Sequence, residues 1–89
     1  MSPAAQKDSG IYIKISIYSY PSALVFIDHQ KVKDSRGLDV FTPVKDLRVK
    51  PGMHTIKLIA RDDPSKTWWI QHIFDKDNMI YVDSRAGDW

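Results

Sequence analysis

The stretch IYIKISIY, residues 11–18, decides the fold class. Ile11, Ile13, Ile15 and Ile17 occupy one side of a two-residue repeat, and Tyr12, Lys14, Ser16 and Tyr18 the other. Successive side chains of a strand point to opposite faces, so this pattern predicts a strand with one buried face. Working outward, SYPS turns the chain at Pro21 and ALVFID (23–28) supplies a second strand. HQKV then carries a short turn to Lys31, Val32 and Lys33. KDSRGLDVFTP, broken by Gly37 and Pro43, reads as a loop with Val40 and Phe41 pinned back on the core. VKDLRV (44–49) is a short strand whose apolar anchors Val44, Leu47 and Val49 fit neither period well.

Pro51 and Gly52 occupy the two central positions of a turn, where the second needs positive φ. HTIKLIAR alternates again, with Ile56, Leu58 and Ala60 on one face. DDPSK turns, TWWIQHIFD is a strand, KDN turns, and MIYVD closes the pattern. No segment sustains a helical apolar period. Short strands with turn signals every eight to twelve residues, in order of magnitude, predict an all-β fold: a single small antiparallel β-sandwich of about seven strands.

The chain has 89 residues and no cysteine, so it is one small domain without disulfides. Hydrophobic residues make up 43% and charged residues 27%, the balance of a globular domain. Thirteen Lys and Arg against eleven Asp and Glu leave a net charge of +2, too little to argue for nucleic acid. The longest apolar run, Ala23–Ile27, is far short of the ~20 residues a spanning helix needs, so no membrane insertion is expected. Residues 1–10 read as a disordered leader, 11–83 as the folded sandwich and 84–89 as a patternless tail.

The turns and core positions carry a resemblance. ISIYSYPSALVFIDHQKV, TPVKDL and VKPGMHTIKL together resemble the PEGA domain, a small β-sandwich module. The matching positions are Pro21, Ala23, Val25, Ile27, Asp28, Thr42, Pro43, Pro51, Gly52 and His54, within residues 11–83. The first turn is one residue short of that pattern, Asp28-His29 stands where it has Asp-Gly, and a longer segment precedes Thr42. The resemblance implies a PEGA/immunoglobulin-like sandwich and a non-catalytic accessory module. Such modules are often attached to envelope or surface proteins of bacteria or to signalling proteins, which makes the cell envelope the location it suggests.

The residues offer no competing chemistry. His29, His54 and His72 are scattered and form no zinc-ligand spacing. DKDNMIYVD supplies the first acidic positions of a calcium loop but lacks its glycine, and turn chemistry accounts for it. The serines sit in no G-x-S-x-G context, and there is no glycine-rich phosphate loop. No catalytic set, metal site or cofactor is expected, and the chain is not read as an enzyme.

TWWIQHIF (67–74) raises the functional question. Trp68, Ile70, His72 and Phe74 share one face and Thr67, Trp69, Gln71 and Ile73 the other, so one tryptophan enters the core and its neighbour faces out. The even set is the more apolar and predicts Trp68 inside. If MIYVD is the hairpin partner, Ile80 and Val82 point in, and Trp69, Ile73, Met79 and Tyr81 share an outer face. Tyr12 and Tyr18 join that face if their strand lies in the same sheet. Contiguous exposed apolar surface marks an interface, and Trp and Tyr are typical anchors. The alternatives are that the loop at 34–43 or the tail with Trp89 covers the face, or that aromatic pairs simply stabilise the sheet.

The expected function is a protein-interaction or spacer module binding itself or a neighbouring domain through this face or a strand edge. A carbohydrate or cell-wall polymer binding module, with Trp69 and Tyr81 as stacking platform, is the alternative.

Overall fold

Ile13, Ile15 and Ile17 are buried in a row, and the fold is built to cover them. The computed structural model describes residues 11–89, so the leader assigned to residues 1–10 lies outside it. Seven strands follow in order: β1 (Ile13–Tyr20), β2 (Ala23–Ile27), β3 (Gln30–Lys31), β4 (Val44–Val49), β5 (Gly52–Ala60), β6 (Thr67–Phe74) and β7 (Asn78–Asp83). They form a three-stranded sheet, β4-β1-β7, and a four-stranded sheet, β3-β2-β5-β6. The isoleucines of β1 meet Ala23 and Val25 of β2, Ile56 and Leu58 of β5, Phe74 and Val82 in one core. The all-β reading and its two-sheet arrangement hold. Ile11 falls outside the strand and is exposed.

Two expectations about pairing are corrected. The sandwich is not wholly antiparallel, because β7 runs parallel to β1, with Ile17 opposite Ile80 and Tyr18 opposite Tyr81. β6 and β7 are also not a hairpin. β6 pairs with β5 over all eight of its residues, and Asp75–Asp77 then carries the chain across to the other sheet. The reason lies in the core: β7 beside β1 adds Ile80 and Val82 to the layer covering β2 and β5. Asp77 fixes the crossing by accepting the Lys14 N–H at 2.9 Å.

Local chemistry explains the irregular spacings. In β4, Lys45 and Asp46 together oppose Ser16, so Val44 and Leu47 both reach the core despite their three-residue separation. Asp46 takes φ 55° there and donates its N–H to Ser16 Oγ at 3.0 Å. Asp28 and His29 both have positive φ, the pattern of a type I′ hairpin turn between β2 and β3. Gly52 sits at φ 135°, satisfying the positive φ expected at that turn.

The loop after β3 is tied down at its end by Thr42, which is 4% exposed. Its N–H donates to the Ala23 carbonyl at 2.8 Å, and its hydroxyl accepts the Ala23 N–H at 3.0 Å. Ser19 Oγ donates to the Pro21 carbonyl, so the short Thr42–Ser19 contact has Thr42 as donor. Val40 and Phe41 are half-buried, and Phe41 bridges to Leu24. The tail is ordered as well. Asp83 caps a single 3-10 turn (Ser84–Ala86), and Trp89 packs against the core with its indole N–H on the Tyr20 carbonyl at 3.1 Å.

Thr42→Val keeps the shape but leaves the Ala23 N–H without its acceptor. It is expected to cost roughly 1–3 kcal/mol in urea unfolding.

A second staple joins the β2–β3 turn to β5. His54 Nδ1 lies 2.7 Å from Asp28 Oδ2 and Nε2 lies 2.6 Å from the Lys50 carbonyl. Both partners can only accept, so the full set of bonds requires the doubly protonated ring. Burial pulls the His54 pKa down, but the Lys50 and Asp28 hydrogen bonds and the Asp28 charge outweigh it and raise it above 6.5. Burial pushes Asp28 up, but the bonds from Thr55 and His54 and the neighbouring imidazole charges bring it below 3.8. A raised histidine stabilises the fold below its unfolded pKa and loses that contribution as pH rises through the folded value. A depressed aspartate contributes above its unfolded pKa and loses it as pH falls through the folded value. The melting temperature should therefore decline as pH rises above the ordinary histidine value of 6.5 through the His54 titration, and His54→Gln should remove that slope.

Candidate functional site

Strand β6 alternates as the sequence predicts, but its inner face is only partly covered. Phe74, where the chain leaves the sheet, is fully buried; Trp68 is half-buried, Ile70 is 36% exposed and His72 is exposed. Trp68 does pack against the core, and Trp69 points out at 64% exposure. The face assignment of the doublet thus stands, yet the aromatic anchor of the strand is Phe74 rather than Trp68. β6 is the last strand of the larger, four-stranded sheet, facing a sheet of three strands.

The crossing at Asp75–Asp77 splits the expected aromatic face in two. Trp69 and Ile73 lie on the outer face of the larger sheet, opposite Lys57 and Met53 of β5. Met79 and Tyr81 lie on the outer face of the smaller sheet, where β1 places Ser16 beside Met79 and Tyr18 beside Tyr81. Tyr12, just ahead of β1, stacks under the Arg48 guanidinium at 5.3 Å. Met79, Tyr81, Tyr18 and Tyr12 therefore belong together, and Trp69 and Ile73 belong to the opposite side of the molecule. The loop 34–43 and the tail leave Trp69, Ile73, Met79 and Tyr81 each at least 60% exposed.

On the Trp69 side, Phe26, Lys57 and Trp69 form one row across three strands, with Lys57 Nζ 5.8 Å from the Phe26 ring centre. Beside that row, His29, Thr55, Lys57, Thr67, Trp69 and Gln71 line an open depression of about 420 Å³. Of these six, the sequence singles out Trp69 as a partner-binding residue and places Thr67 and Gln71 on its face. Thr55 and Lys57 come from β5 and His29 from the β2–β3 turn, and no sequence pattern marks them as part of the same site. Gln71 reaches Thr55 Oγ1 at 3.5 Å across the strands. Among the described residues, no three His, Asp or Glu side chains gather to hold a metal ion.

The backbone of β6 supplies what the side chains do not announce. The Ala60 N–H donates to the Lys66 carbonyl, which sets the ladder phase so that Trp68, Ile70, His72 and Phe74 bond to β5. The N–H and C=O groups of Thr67, Trp69, Gln71 and Ile73 consequently point away from β5, and among the described residues nothing pairs with them. The other edges are protected. β3 has two residues, and β4 carries a bulge with Lys45, Asp46 and Arg48. In β7 the Met79 N–H is taken by Asn78 Oδ1 at 2.8 Å and the Asp83 N–H by Asp88 Oδ2 at 2.9 Å. β6 has eight residues in unbroken register with no charge, proline or glycine.

Comparisons with family models, with curated proteins and with solved structures find no match to this chain.

Replacing Phe74 by Ala should cost roughly 3–5 kcal/mol in urea unfolding, whereas Trp69→Ala should change stability by no more than about 0.5 kcal/mol. Trp68→Ala should fall between them. A Trp69→Ala loss as large as that of Phe74→Ala would overturn the assignment of faces.

Proposed function

We propose that the chain is a PEGA-like, non-catalytic interaction module that binds protein through the β6 side of its larger sheet. The observation that carries this reading is the bare edge of β6, uncharged and flanked by exposed Trp69 and Ile73. An extended segment added there would gain main-chain hydrogen bonds for affinity and side-chain contacts on alternate positions for specificity. Trp69 would act as the anchor, since buried tryptophans dominate the energetics of such contacts. The smaller-sheet face with Met79, Tyr81, Tyr18 and Tyr12 is a second apolar surface, but two amides on its strand edge are already taken by Asn78 and Asp88.

The depression beside Trp69 favours one further reading. An indole over a groove with Thr55, Thr67, Gln71 and His29 offers a stacking surface and hydrogen-bonding groups for a sugar.

The two readings separate experimentally. The immobilised domain in an extract of its source cells is expected to retain protein that Trp69→Asp and Gln71→Pro lose and Tyr81→Asp keeps. Retention that all three variants keep would remove β6 from the interface. Titration with soluble cell-wall glycans should leave the tryptophan fluorescence unchanged; a blue shift that disappears in Trp69→Ala would establish the carbohydrate reading instead.

A further inference from the structure

The partner that fits the β6 edge is a second copy of the same edge. We propose that two chains pair antiparallel through β6 about a two-fold axis at Ile70, joining two four-stranded sheets into one. This rests on β6 being the binding side and names its occupant.

Three features of the strand argue for a copy of itself. The first is hydrogen bonding. Backbone groups facing the open edge belong to Thr67, Trp69, Gln71 and Ile73, so only registers that oppose these residues to one another satisfy them. With Ile70 on the axis, Trp69 faces Gln71 of the second copy and Thr67 faces its Ile73. Every free N–H and C=O on this edge then finds a partner. Moving the axis to Gln71 would leave Thr67 facing Asp75, beyond the end of the strand.

The second feature is charge. A self-pairing edge must tolerate being placed opposite itself: a charge at Ile70 would face its own copy across the axis, and one at Trp69 or Gln71 would lie diagonally beside it. Thr67–Phe74 holds none. Just past its ends stand Lys66 and Asp75, and antiparallel pairing brings Lys66 of one chain to the end of the strand where Asp75 of the other stands.

The third feature is the apolar surface on both sides of the strand. On the outer face, Trp69 of one copy lies diagonally beside Ile73 and Trp69 of the other, within reach of large side chains. On the inner face, Ile70 meets Ile70 at a non-hydrogen-bonded pair, where side chains approach most closely, and half-buried Trp68 faces His72. Ile70 and His72 are exposed and Trp68 is half-buried, which leaves this inner face open to the second copy. Such an interface is isologous and closes at two, because each copy uses its one β6 edge on the other.

The test is sedimentation and light scattering of the full chain over a concentration series, read with two kinds of variant. The wild type is expected to pass from monomer to dimer mass as concentration rises. Gln71→Pro deletes an N–H that points only at the open edge, and should raise the dimer dissociation constant at least about tenfold with the monomer still folded by circular dichroism. Ile70→Lys and Ile70→Glu should each be monomeric, because the substituted charge faces its own copy across the axis. Their equimolar mixture should recover the dimer mass.

A wild type that stays monomeric throughout overturns the inference, and so does a mixture that stays monomeric when each variant alone is folded. If the wild type is monomeric while extract capture still depends on β6, the strand binds another chain and the interaction reading survives. If both fail, the reading falls with the inference.

Discussion

The place where the chain leaves one sheet for the other governs the rest of this structure. Phe74 is driven into the core at the end of β6, and three residues later Asp77 holds the Lys14 N–H of β1. The three-residue link is long enough for a hairpin, but the burial of Phe74 and the Asp77–Lys14 bond direct the chain to the other sheet instead. β7 therefore lies parallel to β1, and β6 is left as the outer strand of the larger sheet. The core gains Ile80 and Val82 by this route, and the molecule gains an unpaired edge. The crossing buries Val82 and half-buries Ile80 against the core, and water satisfies the edge it leaves open as it could not an exposed core.

The parts of the fold legible in the sequence are those set by local period. IYIKISIY and HTIKLIAR announce their inward residues, and Ile13, Ile15, Ile17, Ile56, Leu58 and Ala60 are all buried. The anchors of VKDLRV resisted both periods because a bulge at Lys45–Asp46 restores the phase, and a bulge leaves only a weak trace such as an aspartate tolerant of positive φ. Strand partnership is different in kind. Whether MIYVD pairs with the strand before it or crosses to β1 depends on competition between two burials, each involving residues far apart in sequence. The same limit hid the tail, since Trp89 finds its site through one indole hydrogen bond to Tyr20, some seventy residues earlier by rough count.

The candidate site divides along that line. Trp69 and Ile73 were visible because alternation places them outward wherever β6 lies. The grouping of Trp69 with Met79 and Tyr81 was not, because it assumed a shared sheet. The free amides of Thr67, Trp69, Gln71 and Ile73 carry no sequence signature, since an uncharged strand rich in Trp and Ile reads equally well as a central strand buried on both faces.

Edges are where small β-proteins guard against unwanted pairing, and this chain guards all but one. The devices are independent: a two-residue strand, a bulge set among charges, and side-chain acceptors from Asn78 and Asp88 placed on amides that would otherwise be open. The β6 edge carries none of these devices, although a single lysine in place of Gln71, an exposed position, would supply one. A long uncharged edge on a freely diffusing domain templates open-ended association only when a second edge can receive the next copy. Among the described strands, no other edge is both long and uncapped along its length. The same features that burden β3, β4 and β7 thus bear on what β6 can build: in the proposed dimer the one long uncharged edge among the described strands would be used up by its own copy.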